Sequence, residues 1–216
     1  MDGLKNKITD YWSQRAETFA AQRVREFESE KHDLWLREFQ QYIPRGQRLQ
    51  ILDVGTGTGF FALLLAAAGQ QVTGIDLTEN MIEEAKKISG KMGIQADFYV
   101  MDAVAPQFAP GTFDIIVSRN LTWTLPHLDA AYRSWHDLLK PGGLLINFDA
   151  DYCHEKKAEN LPENHAHKLI SPRLMGEYEE IKEELKETQR IRPYWDQELL
   201  TRAGFREVKM DTGVWK

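Results

Sequence analysis

A short apolar run at residues 49–54 stops at Gly55-Thr56-Gly57-Thr58-Gly59, and a second apolar run at 60–68 begins at once. The first run has the length of a buried strand. The glycines supply positive φ and let the backbone approach a neighbour closely. The second run reads as a helix closed by Gly69. A strand that turns directly into a helix returns to its sheet as a parallel crossover. The unit then repeats. Strands are predicted at 71–75, 96–100, 113–118 and 144–148, and helices at 80–89 and 128–139, with Pro141-Gly142-Gly143 as the turn before the fifth strand. This alternation predicts an α/β fold, a doubly wound, mostly parallel sheet with helices on both faces.

The flanks differ from this core. Residues 6–42 read as helical and rather polar, ended by Pro44 and Gly46. Residues 150–172 lack periodicity and are rich in His and Asn. A charged helix is expected at 173–190, a shorter one at 196–203 and a sixth strand at 205–210. The reading is of one domain: a helical cap at 1–46, a core at 47–149, a lid or insertion at 150–190, and a terminal helix and strand at 191–216. No repeat or low-complexity segment interrupts it.

Composition narrows the function. Of 216 residues, 42% are apolar and 28% charged, as in a globular protein. No apolar stretch approaches the roughly 20 residues of a membrane span, and the polar first residues show no signal peptide, so a cytoplasmic location is the expectation. The lone cysteine, Cys153, excludes an internal disulfide and a cysteine-rich metal site. A net charge of −6 with no dense Lys/Arg cluster argues against nucleic acid as partner.

Three carboxylates are expected along the carboxyl edge of the sheet, where open α/β sheets bind ligands: Asp53, Asp76 and Asp102. The loop reads G-x-G-x-G, with Phe60 where a dinucleotide fingerprint has its last glycine. Asp53 would face a pyrophosphate with negative charge. A phosphate-free, cationic ligand such as S-adenosylmethionine suits it better. Asp76, about 20 residues beyond the loop, is placed to accept both ribose hydroxyls, and Asp102 an adenine amine.

With these motifs the chain resembles the class I S-adenosylmethionine-dependent methyltransferases, and within them the small-molecule group related to the ubiquinone/menaquinone biosynthesis enzymes. The resemblance covers about residues 8–150, with a weaker match at 191–210. It implies S-adenosylmethionine as cofactor and S-adenosylhomocysteine as product. It places Asp53, Gly55, Thr56, Gly57 and Gly59 against the donor's amino-acid end, and Asp76 and Leu77 at the ribose. Met81, Asp102 and Ala103 fall at the adenine, and Arg119 and Asn120 near the methionyl part. Tyr11, Trp12 and Arg15 lie in a segment that folds over the cofactor in relatives. The sequence departs from the family in two ways. A seventh strand is missing, which leaves open a six-stranded sheet, a permuted order or a truncated chain. The fourth strand ends in Arg119-Asn120-Leu121-Thr122, not the Asn/Asp-Pro-Pro-aromatic tetrapeptide of enzymes that methylate bases or glutamine amides.

Plainer roles stand beside these. Tight-turn glycines, a helix-capping Asp53, surface Asp76 and Asp102, and core packing of Trp12, Trp123 and Trp135 are the alternatives. His127 and His154 are the weak candidates for a general base. His165 and His167 are weighed as solvated loop histidines, and no metal is expected. The favoured function is methyl transfer to a small-molecule acceptor. The rivals are a nicotinamide-dependent oxidoreductase and a non-catalytic cofactor-binding module.

Overall fold

The computed structural model describes residues 2–44, 46–154, 170–186 and 190–213. Its centre is a sheet of five parallel strands: β1 (Gln50–Val54), β2 (Gln71–Asp76), β3 (Asp97–Val100), β4 (Phe113–Arg119) and β5 (Leu139–Phe148). The order is β3-β2-β1-β4-β5. The helices are α1 (Asp2–Phe27), α2 (Lys31–Gln40), α3 (Phe60–Ala67), α4 (Glu79–Met92), α5 (Leu128–Leu138), α6 (Pro172–Lys186) and α7 (Tyr194–Ala203).

Side chains of a strand alternate between its faces, and both faces here are covered. Ile51, Ile115, Val117 and Ile146 pack under α2, α3 and α4 with Trp35, Phe39 and Phe61. Their neighbours Leu52, Val54 and Ile116 pack on the other side against α5 and α7, around Tyr132, Trp135 and Leu199. Helix α3 is apolar all round because it is enclosed: Phe60 through Leu65 are all buried. A third cluster sits over the carboxyl ends of β4 and β5. It joins Tyr11 of α1, Trp123, Cys153, and Tyr178, Ile181 and Leu185 of α6. The α1 helix therefore bridges the sheet and α6.

Two sequence expectations are corrected. Residues 205–210 form no strand. Gly204 takes φ +107 to end α7, and the Phe205 amide bonds the Leu200 carbonyl at 3.1 Å, so it serves the helix cap, not a ladder. Glu207 at φ +55 then breaks the extended conformation. The Phe205 ring is spent on His136 of α5, 5.2 Å away. Second, Pro141-Gly142-Gly143 is not a turn ahead of β5 but a bulge inside it. Phe113 pairs with Leu139 and Ile115 with Leu144, which leaves 140–143 looped out. Gly143 fits there because an added Cβ would lie 2.9 Å from the Lys140 carbonyl oxygen. Smaller shifts of boundary occur elsewhere: the helical 6–42 region is two helices broken near Glu28, and α6 is assigned to Lys186.

Candidate active site

The glycine loop leaves β1 and enters α3 with Gly55, Gly57 and Gly59 at φ +69, +54 and +86. These are left-handed conformations that other residues adopt only with strain. Space confirms the need at Gly55, where a Cβ would meet the Leu121 side chain at 2.7 Å. Two carboxylates hold the loop. Asp53 is buried and its Oδ2 accepts the Thr56 hydroxyl at 2.7 Å and the Ala62 amide at 3.0 Å. Asp76, half-buried at the end of β2, accepts the Gly57 amide at 3.0 Å and the Thr78 amide at 2.9 Å. Burial pushes the Asp53 carboxyl up to about 7, against the two donors, and raises Asp76 as well. Asp53 thus braces loop to helix.

Asp102 follows β3 and accepts the Val104 amide at 2.9 Å. It also pairs with Lys5 of α1 at 2.7 Å. Ala103 beside it is buried, its carbonyl bonded to Trp135 Nε1 at 2.7 Å. Met81 is buried in the first turn of α4, and Leu77 is half-buried at the end of β2. Helix α1 lies over this edge. Phe19 reaches to within 3.4 Å of where a Gly57 Cβ would stand, and Asn80 bonds the Ser13 carbonyl at 3.4 Å. Tyr11 and Arg15 are buried on the same helix, and Trp12 packs between Tyr11 and Phe19. Burial raises the Tyr11 phenol and lowers the Arg15 guanidinium.

At the end of β4, Asn120 has φ +54, a strained value for a residue with a side chain. Its amide bonds the Phe148 carbonyl at 2.8 Å, and its Oδ1 accepts the Tyr152 hydroxyl at 3.0 Å. Arg119 turns to the α2–α3 face. It pairs with Glu26 at 2.8 Å and lies over the rings of Trp35, Phe60 and Phe61. Of the histidines, His154 is exposed and held by Asp151 at 2.6 Å, just beyond β5. His127 is exposed at the start of α5. His165 and His167 lie outside the described residues, as does most of 150–172. Among the described residues no group of three His, Cys, Asp or Glu gathers as a metal site.

Sequence reasoning missed a second layer. Arg192 precedes α7, is buried, and binds Asp149 at 3.4 Å and Asp196 at 2.6 Å. Tyr132 donates to Asp196 at 2.6 Å, and Thr122 donates to Asp149. Burial alone would lower the Arg192 pKa, but its carboxylate partners raise it above the ordinary value. The Trp123 amide also bonds Asp149, at 3.0 Å. The ends of β4 and β5 are thereby tied to α7. No local pattern marks this network, since its members are up to 70 residues apart.

Comparison with known proteins says what the central stretch is similar to. Residues 51–143 match the family described as methyltransferase domain. The ubiquinone biosynthesis O-methyltransferase of Xanthomonas euvesicatoria is 37% identical over 100 residues, which is 45% of this chain and 41% of that protein. The ubiquinone/menaquinone biosynthesis C-methyltransferase of Cereibacter sphaeroides is 35% identical over 123 residues, 53% of this chain and 48% of that one. The chain thus spans less than half the length of these curated relatives. In fold it resembles phosphoethanolamine N-methyltransferase 2 of Haemonchus contortus, with a TM-score of 0.62 at 23% identity over 82% of this chain and 37% of that one. The matched stretch carries β1 through the bulge of β5, so the glycine loop, Asp76 and Asp102 all belong to it. Helices α1, α2, α6 and α7 lie outside it.

Proposed function

We propose that this methyltransferase domain binds S-adenosylmethionine along the carboxyl ends of β1 to β4 and passes its methyl group to a small-molecule acceptor. The observation that supports this most is the glycine loop itself. Its three glycines are left-handed and the middle one, Gly57, is fastened to Asp76, so the loop backbone and the β2 carboxylate are already set against each other. The second oxygen lone pairs of Asp76 are then available to ribose hydroxyls. Asp102 would exchange Lys5 for the adenine amine. A pyrophosphate suits this loop less well, because Asp53 brings a carboxyl to it just before the first glycine, whereas Asp76 at the ribose does not discriminate.

The donor supplies a sulfonium, which is already a good leaving group. The chain's own contribution is to align acceptor and methyl and to exclude water. Helices α1 and α6 form that cover in our reading: Tyr11, Trp123 and Tyr178 meet over the strand ends with ring centroids under 6 Å apart. His154, steadied by Asp151, is the candidate to take a proton from an acceptor that carries one. The acceptor is proposed only as a small molecule.

The test is calorimetry with S-adenosylhomocysteine on wild type and Asp76→Ala. The variant loses charge-assisted hydrogen bonds of about 1.5–3 kcal/mol each, so affinity should fall at least about tenfold. Unchanged affinity would remove the ribose assignment. Turnover of S-adenosylmethionine to S-adenosylhomocysteine with a panel of acceptors then tests catalysis against mere binding.

A further inference from the structure

Both oxygens of the Asp102 carboxylate are engaged within the chain. Oδ1 accepts the Val104 amide at 2.9 Å, a bond that shapes the loop after β3. Oδ2 accepts Lys5 Nζ at 2.7 Å. An ammonium has three donors and no acceptor. The adenine amine that the donor would bring to Asp102 is also a donor. Lys5 and the amine therefore compete for one oxygen, and neither can accept a hydrogen bond from the other.

The position of Lys5 is not explained by the stability of its own helix. It stands in the first turn of α1, where the helix dipole disfavours a cation. The opposing charge comes from Asp102, 97 residues away. The same end of α1 is fastened to α6. Leu4 and Ile8 pack on the cluster that holds Tyr178, Ile181 and Leu185, and Lys7 pairs with Glu184. Lys5 is thus where the α1–α6 cover touches the proposed adenine position. Both side chains of the Lys5–Asp102 pair are partly exposed, so the pair can open without leaving a buried charge behind.

We propose that Lys5–Asp102 is an autoinhibitory contact: in the free protein it holds the N-terminal end of α1, and α6 with it, over the adenine position, and the donor binds by displacing Lys5 from Asp102. This rests on the donor-binding reading above and adds a competitor to it. The competition is reciprocal. Lys5 weakens donor binding, and a bound donor frees the end of α1 from the sheet edge.

The experiment is calorimetry of S-adenosylhomocysteine and S-inosylhomocysteine with wild type, Lys5→Ala, Lys5→Arg, Asp102→Ala and the double variant Lys5→Ala with Asp102→Ala. The inosine analogue carries a carbonyl oxygen in place of the amine, so Lys5 does not compete with it. Lys5→Ala should tighten S-adenosylhomocysteine about two- to fivefold, the range of an exposed ion pair, and should not tighten the analogue. Lys5→Arg keeps the charge and should stay within about twofold of wild type. Where Asp102 is already Ala, removing Lys5 should no longer tighten binding, because the pair acts as a unit. Unchanged or weaker S-adenosylhomocysteine binding in Lys5→Ala overturns the contact and leaves the donor reading standing. So does equal tightening of both nucleosides, equal tightening by Lys5→Arg, or tightening that persists without Asp102. If neither wild type nor Lys5→Ala binds either nucleoside, the donor reading falls and takes the contact with it. Binding by Lys5→Ala alone supports both. Circular dichroism checks each fold; if Asp102→Ala does not fold, Asp102→Asn, which keeps an acceptor for the Val104 amide, replaces it.

Discussion

Two elements are fastened over the strand ends in different ways. Helix α7 is tied by Arg192, whose side chain is 4% exposed, to two carboxylates and through them to Thr122, Tyr132 and the Trp123 amide. The N-terminal end of helix α1 is tied to the opposite part of the same edge by Lys5–Asp102, whose side chains are 46% and 33% exposed, and to α6 by the exposed pair Lys7–Glu184, whereas its C-terminal turn is held by the buried pair Glu26–Arg119. A buried ion pair has no water to replace a lost partner, so its rupture is costly. An exposed pair exchanges its partner for water at little cost. The chain thus has one fixed side and, at the N-terminal end of α1, one side that can be lifted. A site that admits a ligand and then excludes water needs both.

The comparison breaks most readily at Arg192. Arg192→Met keeps the bulk and leaves Asp149 and Asp196 buried without their cation. It should cost about 3–5 kcal/mol, and melting should fall by roughly 2–4 °C for each of these in a chain of this size. A melting temperature within about 2 °C of wild type would show that α7 is not the fixed side.

The loop between the two clasps should respond through charge, not shape. In the free protein a carboxyl raised as Asp53 is contributes stability that is full below the ordinary carboxylate range and is lost as pH rises through about 7. A cationic donor favours the ionised form. Affinity for S-adenosylmethionine should therefore rise with pH from 6 to 8, by at most about tenfold per unit below 7. Asp53→Asn should flatten the profile, and S-adenosylhomocysteine, without the sulfonium, should show a weaker slope. A flat wild-type profile by calorimetry would mean that Asp53 keeps one protonation state throughout.

The smallest effect sharpens the comparison at α1. Lys5→Ala should cost under about 1 kcal/mol of global stability. It should nevertheless speed amide exchange in α1 and leave α7 unchanged, and raised salt should act in the same direction in wild type. Hydrogen-exchange mass spectrometry is the measurement. Equal protection of both helices, indifferent to salt and to Lys5, would make α1 as fixed as α7.

Much of this was legible in the chain because it is local. The 3.6- and 2-residue periodicities, the left-handed requirement of Gly55, Gly57 and Gly59, and the capping Gly69 each act over a few residues, and the parallel sense of the first five strands follows from their alternation with helices; the end of α4 at Gly93 and not before Gly90 was not read, nor was the strand order. The expectation of a sixth strand failed for a non-local reason. The pattern at 205–210 suits a strand, but its first amide was taken by the α7 cap and its first ring by His136. The placement of Asp53, Asp76 and Asp102 at one edge was also readable, since strand ends in a parallel sheet share an edge. That Lys5 would meet Asp102, Glu26 meet Arg119, and Arg192 meet Asp149 was not. These pairs are separated by 97, 93 and 43 residues, and only the tertiary structure decides them, because a charge carries no record in the sequence of which distant charge it will be buried against.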